Sequence, residues 1–98
     1  MAEIRWTEES RRWLFEIHSY IAEDNPKIAN RVINDIYNKT QILLEFPQIG
    51  YKFRSETDGE IRIMLYGHYR IAYLIKHSND IDILGVFHGA LDIEKYLP

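Results

Sequence analysis

The hydrophobic pattern of this chain changes period once, between Pro47 and Gly50, and that change limits what the chain can fold into. Before it, apolar residues recur every three or four positions, as they do on one face of a helix. After it they gather in short runs of β-branched and aromatic residues divided by turn residues, as in strands. Neither half repeats the other, and no low-complexity linker separates them. Helices first and strands afterwards describe an α+β domain, with a helical layer packed on a sheet. A length of 98 residues leaves room for one such domain, spanning positions 1–98.

The first half divides further. Glu3-Ile4-Arg5-Trp6 alternates polar and apolar residues like a short strand. Thr7 then stands where a helix N-cap belongs, with Glu8 and Glu9 complementing the helix dipole in the first turn. Trp13, Leu14, Ile17, Tyr20 and Ile21 share one face of that helix, while Arg11, Arg12, Glu16 and Glu23 spread over the other. Asp24-Asn25-Pro26 ends the first helix and begins a second, because proline disfavours helical geometry in the residue before it yet fits a first turn capped by Asn25. The spacing of Ile28, Ala29, Val32, Ile33, Ile36, Tyr37, Thr40, Leu43 and Leu44 predicts a second helix from Pro26 to about Glu45. Such a helix would be roughly 30 Å long. Phe46-Pro47 stops it, and a polar loop is expected up to Asp58-Gly59.

Three strands are expected in the second half, at Glu60 to Tyr66, Tyr69 to Lys76 and Ile81 to His88. Gly67-His68 suits a two-residue type II′ hairpin turn, and Ser78-Asn79 is expected to make the second turn. These turns set a register with Leu65 opposite Arg70, Arg70 opposite Phe87, Tyr69 opposite His88 and His77 opposite Asp80. One face then carries Ile61, Ile63, Leu65, Ala72, Leu74, Ile83 and Phe87. The other carries Met64, Tyr66, Tyr69, Ile71, Tyr73, Ile75, Leu84 and Val86. A helical hairpin covers one face only, so the second should meet the C-terminal segment or a partner.

Composition excludes several classes of function. There is no cysteine, hence no disulfide, thiol nucleophile or zinc ribbon, which fits a cytoplasmic protein. The longest apolar run, Ile71 to Ile75, is far short of the roughly 20 residues a membrane span needs. The formal charge of −3 argues against bulk nucleic-acid binding, although the charge is uneven. Between Tyr51 and Asn79 five basic residues (Lys52, Arg54, Arg62, Arg70, Lys76) face three acidic ones (Glu56, Asp58, Glu60), a local excess of two. Arg70, flanked by apolar residues in a strand, must either meet a carboxylate or line a cleft, whereas Arg62 is expected to be solvated on an edge. His88 closes the last strand and is a candidate acid or base. His18, His68, His77 and His88 lack the spacing of a metal site, Asp80 and Asp82 lack a third ligand, and Gly85 and Gly89 form no nucleotide fingerprint, so no metal or other cofactor is expected. Aromatic residues interleave with the basic stretch, as on RNA-binding surfaces, but in strands they more often build core.

The order of the motifs resembles the RelE/ParE superfamily of toxins from type II toxin–antitoxin systems, also known as plasmid stabilisation proteins. The likeness runs through Ile4-Arg5-Trp6-Thr7, Tyr20-Ile21-Ala22-Glu23-Asp24-Asn25-Pro26, Leu44-Glu45-Phe46-Pro47-Gln48-Ile49-Gly50, Arg62 eight residues before Arg70, Tyr69-Arg70-Ile71-Ala72-Tyr73 and Val86-Phe87-His88-Gly89. It covers nearly the whole chain and is closer to the ParE branch. The resemblance implies a β-α-α-β-β-β fold with the helical hairpin on a small antiparallel sheet and a short C-terminal segment. It also implies a cognate antitoxin that wraps the toxin through an apolar groove, for which Trp13, Ile17, Tyr66, Tyr69 and Tyr73 are the candidate contacts. A homodimer and a toxin–antitoxin heterotetramer are both compatible with it.

For the target, the resemblance implies either a ParE-like inhibitor that binds DNA gyrase, with Arg62, Arg70 and His88 as contacts, or a RelE-like endonuclease that cuts mRNA on the ribosome. A nuclease would draw on Arg62, Arg70, His88 and Tyr96. Met64 stands where a second strand lysine would be expected, and Leu91 where family members often carry arginine, which leaves RNA cleavage poorly equipped. A third reading is a weakened homologue that mainly binds its antitoxin.

Overall fold

A computed structural model of the chain describes residues 2–89 and 91–97. A short strand β1 (Ile4–Trp6) leads into helices α1 (Glu8–Ala22) and α2 (Pro26–Thr40), followed by strands β2 (Tyr51–Glu56), β3 (Gly59–Tyr66), β4 (Tyr69–Lys76) and β5 (Ile81–His88). Single 3₁₀ segments follow α2 at Gln41–Leu44 and β5 at Ile93–Lys95. The strands form one sheet in the order β1-β5-β4-β3-β2.

Both helix starts follow their caps. The Thr7 hydroxyl accepts from the Ser10 N–H at 3.1 Å and donates to the Ile83 carbonyl at 2.9 Å, so one side chain opens α1 and ties it to β5. Asn25 accepts from the Ile28 N–H at 3.1 Å, with Pro26 in the first turn of α2. The second helix ends earlier than its apolar spacing predicts, because the chain tightens into 3₁₀ geometry after Thr40. That tightening still buries Leu43 in the core.

Two further expectations are corrected. The segment read as a polar loop contains β2, an antiparallel partner of β3. Its mixed sequence, Tyr-Lys-Phe-Arg-Ser-Glu, is that of an edge strand, where charge discourages pairing with other chains. The sheet is also not wholly antiparallel, since β1 pairs parallel to β5.

The register holds at one end of the β4–β5 pair and shifts at the other. Tyr69 faces His88 and Arg70 faces Phe87, as expected, but Tyr73 faces Ile83 and Ile75 faces Ile81. The second turn takes three residues rather than two: Lys76 N–H donates to the Asp80 carbonyl at 2.9 Å, and Asn79 adopts a positive φ of 73°. A β-bulge between the two pairing segments restores the register. Ile83 therefore joins the helix-facing core and Leu84 the opposite face, the reverse of the two-residue-turn assignment.

The helix-facing core gathers Ile36, Leu43, Met64, Ile71, Tyr73, Ile81, Ile83 and Val86. On the other face, Ile61, Ile63, Ala72 and Phe87 are covered by Ile93 and Leu97, so the C-terminal segment supplies the cover. Asp82, 6% exposed, answers Arg5 at 3.0 Å and Lys76 at 3.1 Å and joins β1 to β4 across β5. No helix among the described residues is long and apolar enough to cross a membrane.

Candidate functional site

The expected functional residues concentrate where β5 leaves the sheet. His88 pairs with Tyr69, and the next residue, Gly89, donates its N–H to the His68 carbonyl at 2.8 Å, which folds the chain back over the β3–β4 turn. Gly67 has a φ of 55° in that turn, a conformation that favours glycine and fits the type II′ geometry.

Two concave surfaces meet at this corner. One is a groove of about 400 Å³ between α1 and the sheet, with Trp13, Ile17, Tyr69, Val86 and Leu91 as apolar walls and Glu16, Tyr20 and His88 beside them. Positions 13, 16, 17 and 20 share one helical stripe, so α1 offers a continuous wall. Tyr20, expected on the inner face of the helix, overhangs the groove and is 78% exposed. The second surface is a cleft around the hairpin turn formed by Leu65, Gly67, His68, Arg70 and Gly89, and it shares Tyr69 and His88 with the groove.

The groove is apolar and the cleft is basic. The His68 and His88 rings lie 6.5 Å apart and nearly parallel, and Tyr69 meets His88 edge-on at 6.0 Å. Burial, and secondarily the charge that Tyr20 would carry, raise the Tyr69 phenol above its ordinary value, so it is a neutral donor at physiological pH. Among the described residues Arg70 meets no carboxylate. It lines the cleft and donates to the carbonyls of Gly89 at 3.2 Å and Leu91 at 2.5 Å. Among the described residues no three His, Asp or Glu side chains gather as a metal site.

The candidate partner contacts divide. Trp13, Ile17 and Tyr69 come together in the groove. Tyr66 pairs across the hairpin with Tyr69, but its hydroxyl donates to Asp35 at 3.1 Å, and burial together with that carboxylate raises its phenol. Tyr73 is a correction, because it has no exposed surface to offer a partner. Its hydroxyl donates to the Pro47 carbonyl at 2.7 Å and accepts from the Gly50 N–H at 3.0 Å, making it a core residue that anchors the turn into β2.

Arg62 is likewise not solvated. Its side chain is 17% exposed, pairs with Glu60, and donates to the carbonyls of Gly50 at 2.8 Å and Gln48 at 3.2 Å. Strand alternation places it on the helix-facing side with Tyr73, whereas Arg70 lies on the opposite side with Leu65 and Phe87. Tyr96 packs edge-on against Trp13 at 5.1 Å and stacks on Phe87 at 5.9 Å. Met64 is core, 4% exposed, so a lysine there would have to enter the helix-facing cluster.

Glu16, Tyr20, His68 and Leu91 were not among the candidates drawn from the sequence. The helical stripe through Trp13 and Ile17 carried the signal for the first two. The fold-back at Gly89, which brings His68 and Leu91 to the site, has no periodic signature.

Comparison with known proteins agrees with this architecture. The family model for the ParE toxin of type II toxin-antitoxin system, parDE, matches residues 4–93. A curated protein of Sinorhizobium fredii named "Putative toxin Y4kP" is 38% identical over 86 residues, covering 88% of this chain and 86% of that one. Among solved structures, the chromosomal ParDE toxin–antitoxin system of P. aeruginosa superposes with a TM-score of 0.70 at 22% identity, over 90% of this chain and 96% of that one. The toxin–antitoxin complex RelBE2 of Mycobacterium tuberculosis gives 0.58 at 25% identity, covering 89% and 96% of the two chains. The archaeal RelE–RelB complex of Pyrococcus horikoshii gives 0.57 at 14% identity, covering 93% and 98%. On this evidence the chain belongs to the ParE toxin family of type II toxin–antitoxin systems.

Proposed function

We propose that the protein is a ParE-like toxin that arrests bacterial growth in the cytoplasm by binding DNA gyrase, and that a cognate antitoxin neutralises it by laying an apolar helix in the groove of Trp13, Ile17 and Tyr69. The observation that carries the choice of binding over RNA cleavage is the separation of the two arginines. A nuclease of this family would need Arg62 and Arg70 converging on one scissile phosphate, with His88 or Tyr96 moving the proton. Arg62 is instead pinned to Gly50 and Glu60 on one side of the sheet, and Arg70 occupies the other. The basic cleft with His88 and Arg70 then serves as the face toward the target, without Arg62. An apolar groove walled by one stripe of α1 supports an amphipathic helix as the antitoxin's element.

Expression of the chain alone in bacteria tests this. Purified protein should trap or inhibit gyrase on supercoiled DNA and leave ribosome-bound transcripts intact. Cut transcripts with unaffected gyrase would refute the reading. Neither activity, with tight binding to a small protein encoded beside it, would reduce the function to antitoxin binding.

A further inference from the structure

Among the described residues, the segment Leu91–Leu97 has few hydrogen-bond ties to the rest of the molecule. Its backbone bonds to described residues run from Leu91 to His88, and within the segment from Lys95 to Asp92 and from Tyr96 and Leu97 to Ile93. Asp92 caps its single 3₁₀ turn. Side-chain packing holds it to the sheet, through Ile93 and Leu97 on the Ile61–Ile63–Ala72–Phe87 cluster, and to α1, through Tyr96 on Trp13. Among the described residues, the one side-chain hydrogen bond that reaches it from the sheet comes from Arg70, at the Leu91 carbonyl. The same guanidinium nitrogen holds the carbonyl of Gly89, the other side of the fold-back.

We propose that Arg70 is a positioning residue, one that builds the α1–sheet groove from outside it. Arg70 does not line the groove and sits on the opposite face of the sheet, yet it fixes the carbonyl of Leu91, whose side chain is a groove wall. One planar donor held on two carbonyls sets the angle at which the chain leaves β5. That angle carries Leu91 to the groove and Tyr96 to Trp13, the groove's aromatic wall. Without the guanidinium, the segment lifts as one unit while the strands remain paired, so the groove loses Leu91 and Trp13 loses the ring that covers it. The functional weight of this coupling rests on the groove being the antitoxin's seat, but the coupling itself does not.

Hydrogen exchange read by mass spectrometry on the full chain tests it, comparing wild type with Arg70→Ala and Arg70→Lys. In Arg70→Ala, exchange at Leu91–Leu97 should accelerate at least roughly tenfold, the factor that accompanies loss of one charge-assisted hydrogen bond. Protection across β3, β4 and β5 should hold. Arg70→Lys, whose ammonium reaches one carbonyl at a time, should fall between the two. In a Trp6→Phe background, which leaves Trp13 as the sole tryptophan of the two in the chain, emission should shift to longer wavelength in the same order. Unchanged exchange at Leu91–Leu97 would overturn the proposal. So would a loss spread evenly over the sheet in both variants, since Arg70 would then support the whole fold. Neither readout requires toxicity, so a selective opening in a chain that inhibits nothing would refute the proposed function and leave this inference standing.

Discussion

Tyr73→Phe isolates one oxygen atom in the core and makes the strongest quantitative test of the fold. The ring stays, so no cavity opens, but the hydroxyl that donates to the Pro47 carbonyl and accepts from the Gly50 N–H is gone. Pro47 is half-buried and its carbonyl can turn to water. Gly50 is buried, and its N–H is left without an acceptor. A net hydrogen bond contributes about 1 kcal/mol and a buried donor without a partner costs about 1–3 kcal/mol, so the variant should lose about 2–3 kcal/mol. In a domain of this size that lowers Tm by roughly 8–20 °C. The alkaline limb gives an independent reading. Burial raises the Tyr73 phenol above its ordinary value of 10.0, against smaller lowering effects from the Gly50 N–H and Arg62. The native state therefore holds this proton more tightly than the unfolded chain does. Its contribution is fully present below pH 10 and is lost as the pH rises through the native-state value. Tyr73→Phe should start lower and fall less steeply above pH 10, with a residual slope from Tyr66 and Tyr69. Denaturant titrations from pH 7 to 11 measure both quantities. A loss under about 0.5 kcal/mol, within the range of ordinary surface substitutions, would refute the bridging role, and so would an unchanged alkaline slope.

Other substitutions probe different parts of the structure. Gly59→Ala places a Cβ 1.8 Å from the Ile75 carbonyl oxygen at a φ of 154°, so thermal melts should show the β2–β3 turn disrupted and the chain poorly folded. Asp82→Asn removes the charge that meets Arg5 and Lys76. Because Arg5 remains largely in water, the expected loss is about 1–2 kcal/mol, below the 3–5 kcal/mol of a fully buried pair, with faster hydrogen exchange concentrated in β1. Tyr20→Ala should leave Tm within a few degrees, since the ring is 78% exposed, yet weaken antitoxin binding roughly thirtyfold by calorimetry, as loss of an aromatic hot spot does.

The parts of this fold legible in the sequence were those governed by local chemistry. Thr7 and Asn25 marked the helix starts because a cap needs one side chain and a nearby N–H. Gly67 marked the hairpin because a positive φ there favours glycine. The corrections all depended on partners distant in the chain. Arg62 looked solvated until the 48–50 turn supplied carbonyls from a segment twelve to fourteen residues away. Tyr73 looked like surface because half of a strand's aromatic residues face outward, and only the helix layer decided which half. β2 was missed because an edge strand is defined by its neighbour more than by its own residues. At the candidate site, Trp13, Ile17, Tyr69 and His88 converged as strand register and helix period required, while Leu91 arrived through a fold-back held by Arg70.

The two irregularities in the β4–β5 hairpin act like a frameshift and its suppressor. The extra turn residue displaces Ile81, Asp82 and Ile83 by one position, and the bulge returns the chain to frame before Val86. Within that short window the displacement sorts the side chains: Ile81 and Ile83 enter the helix-facing core, and Asp82 turns to the side where Arg5 and Lys76 wait. A two-residue turn that paired His77 with Asp80 would instead set Asp82 opposite Ile75, which packs on the helix-facing core, and would aim the carboxylate there. Insertions and deletions should therefore be tolerated less from Ile81 to Ile83, where β5 is paired with both β4 and β1, than in the polar β2–β3 turn, and among ParE-family relatives the length of this stretch should vary less than its composition.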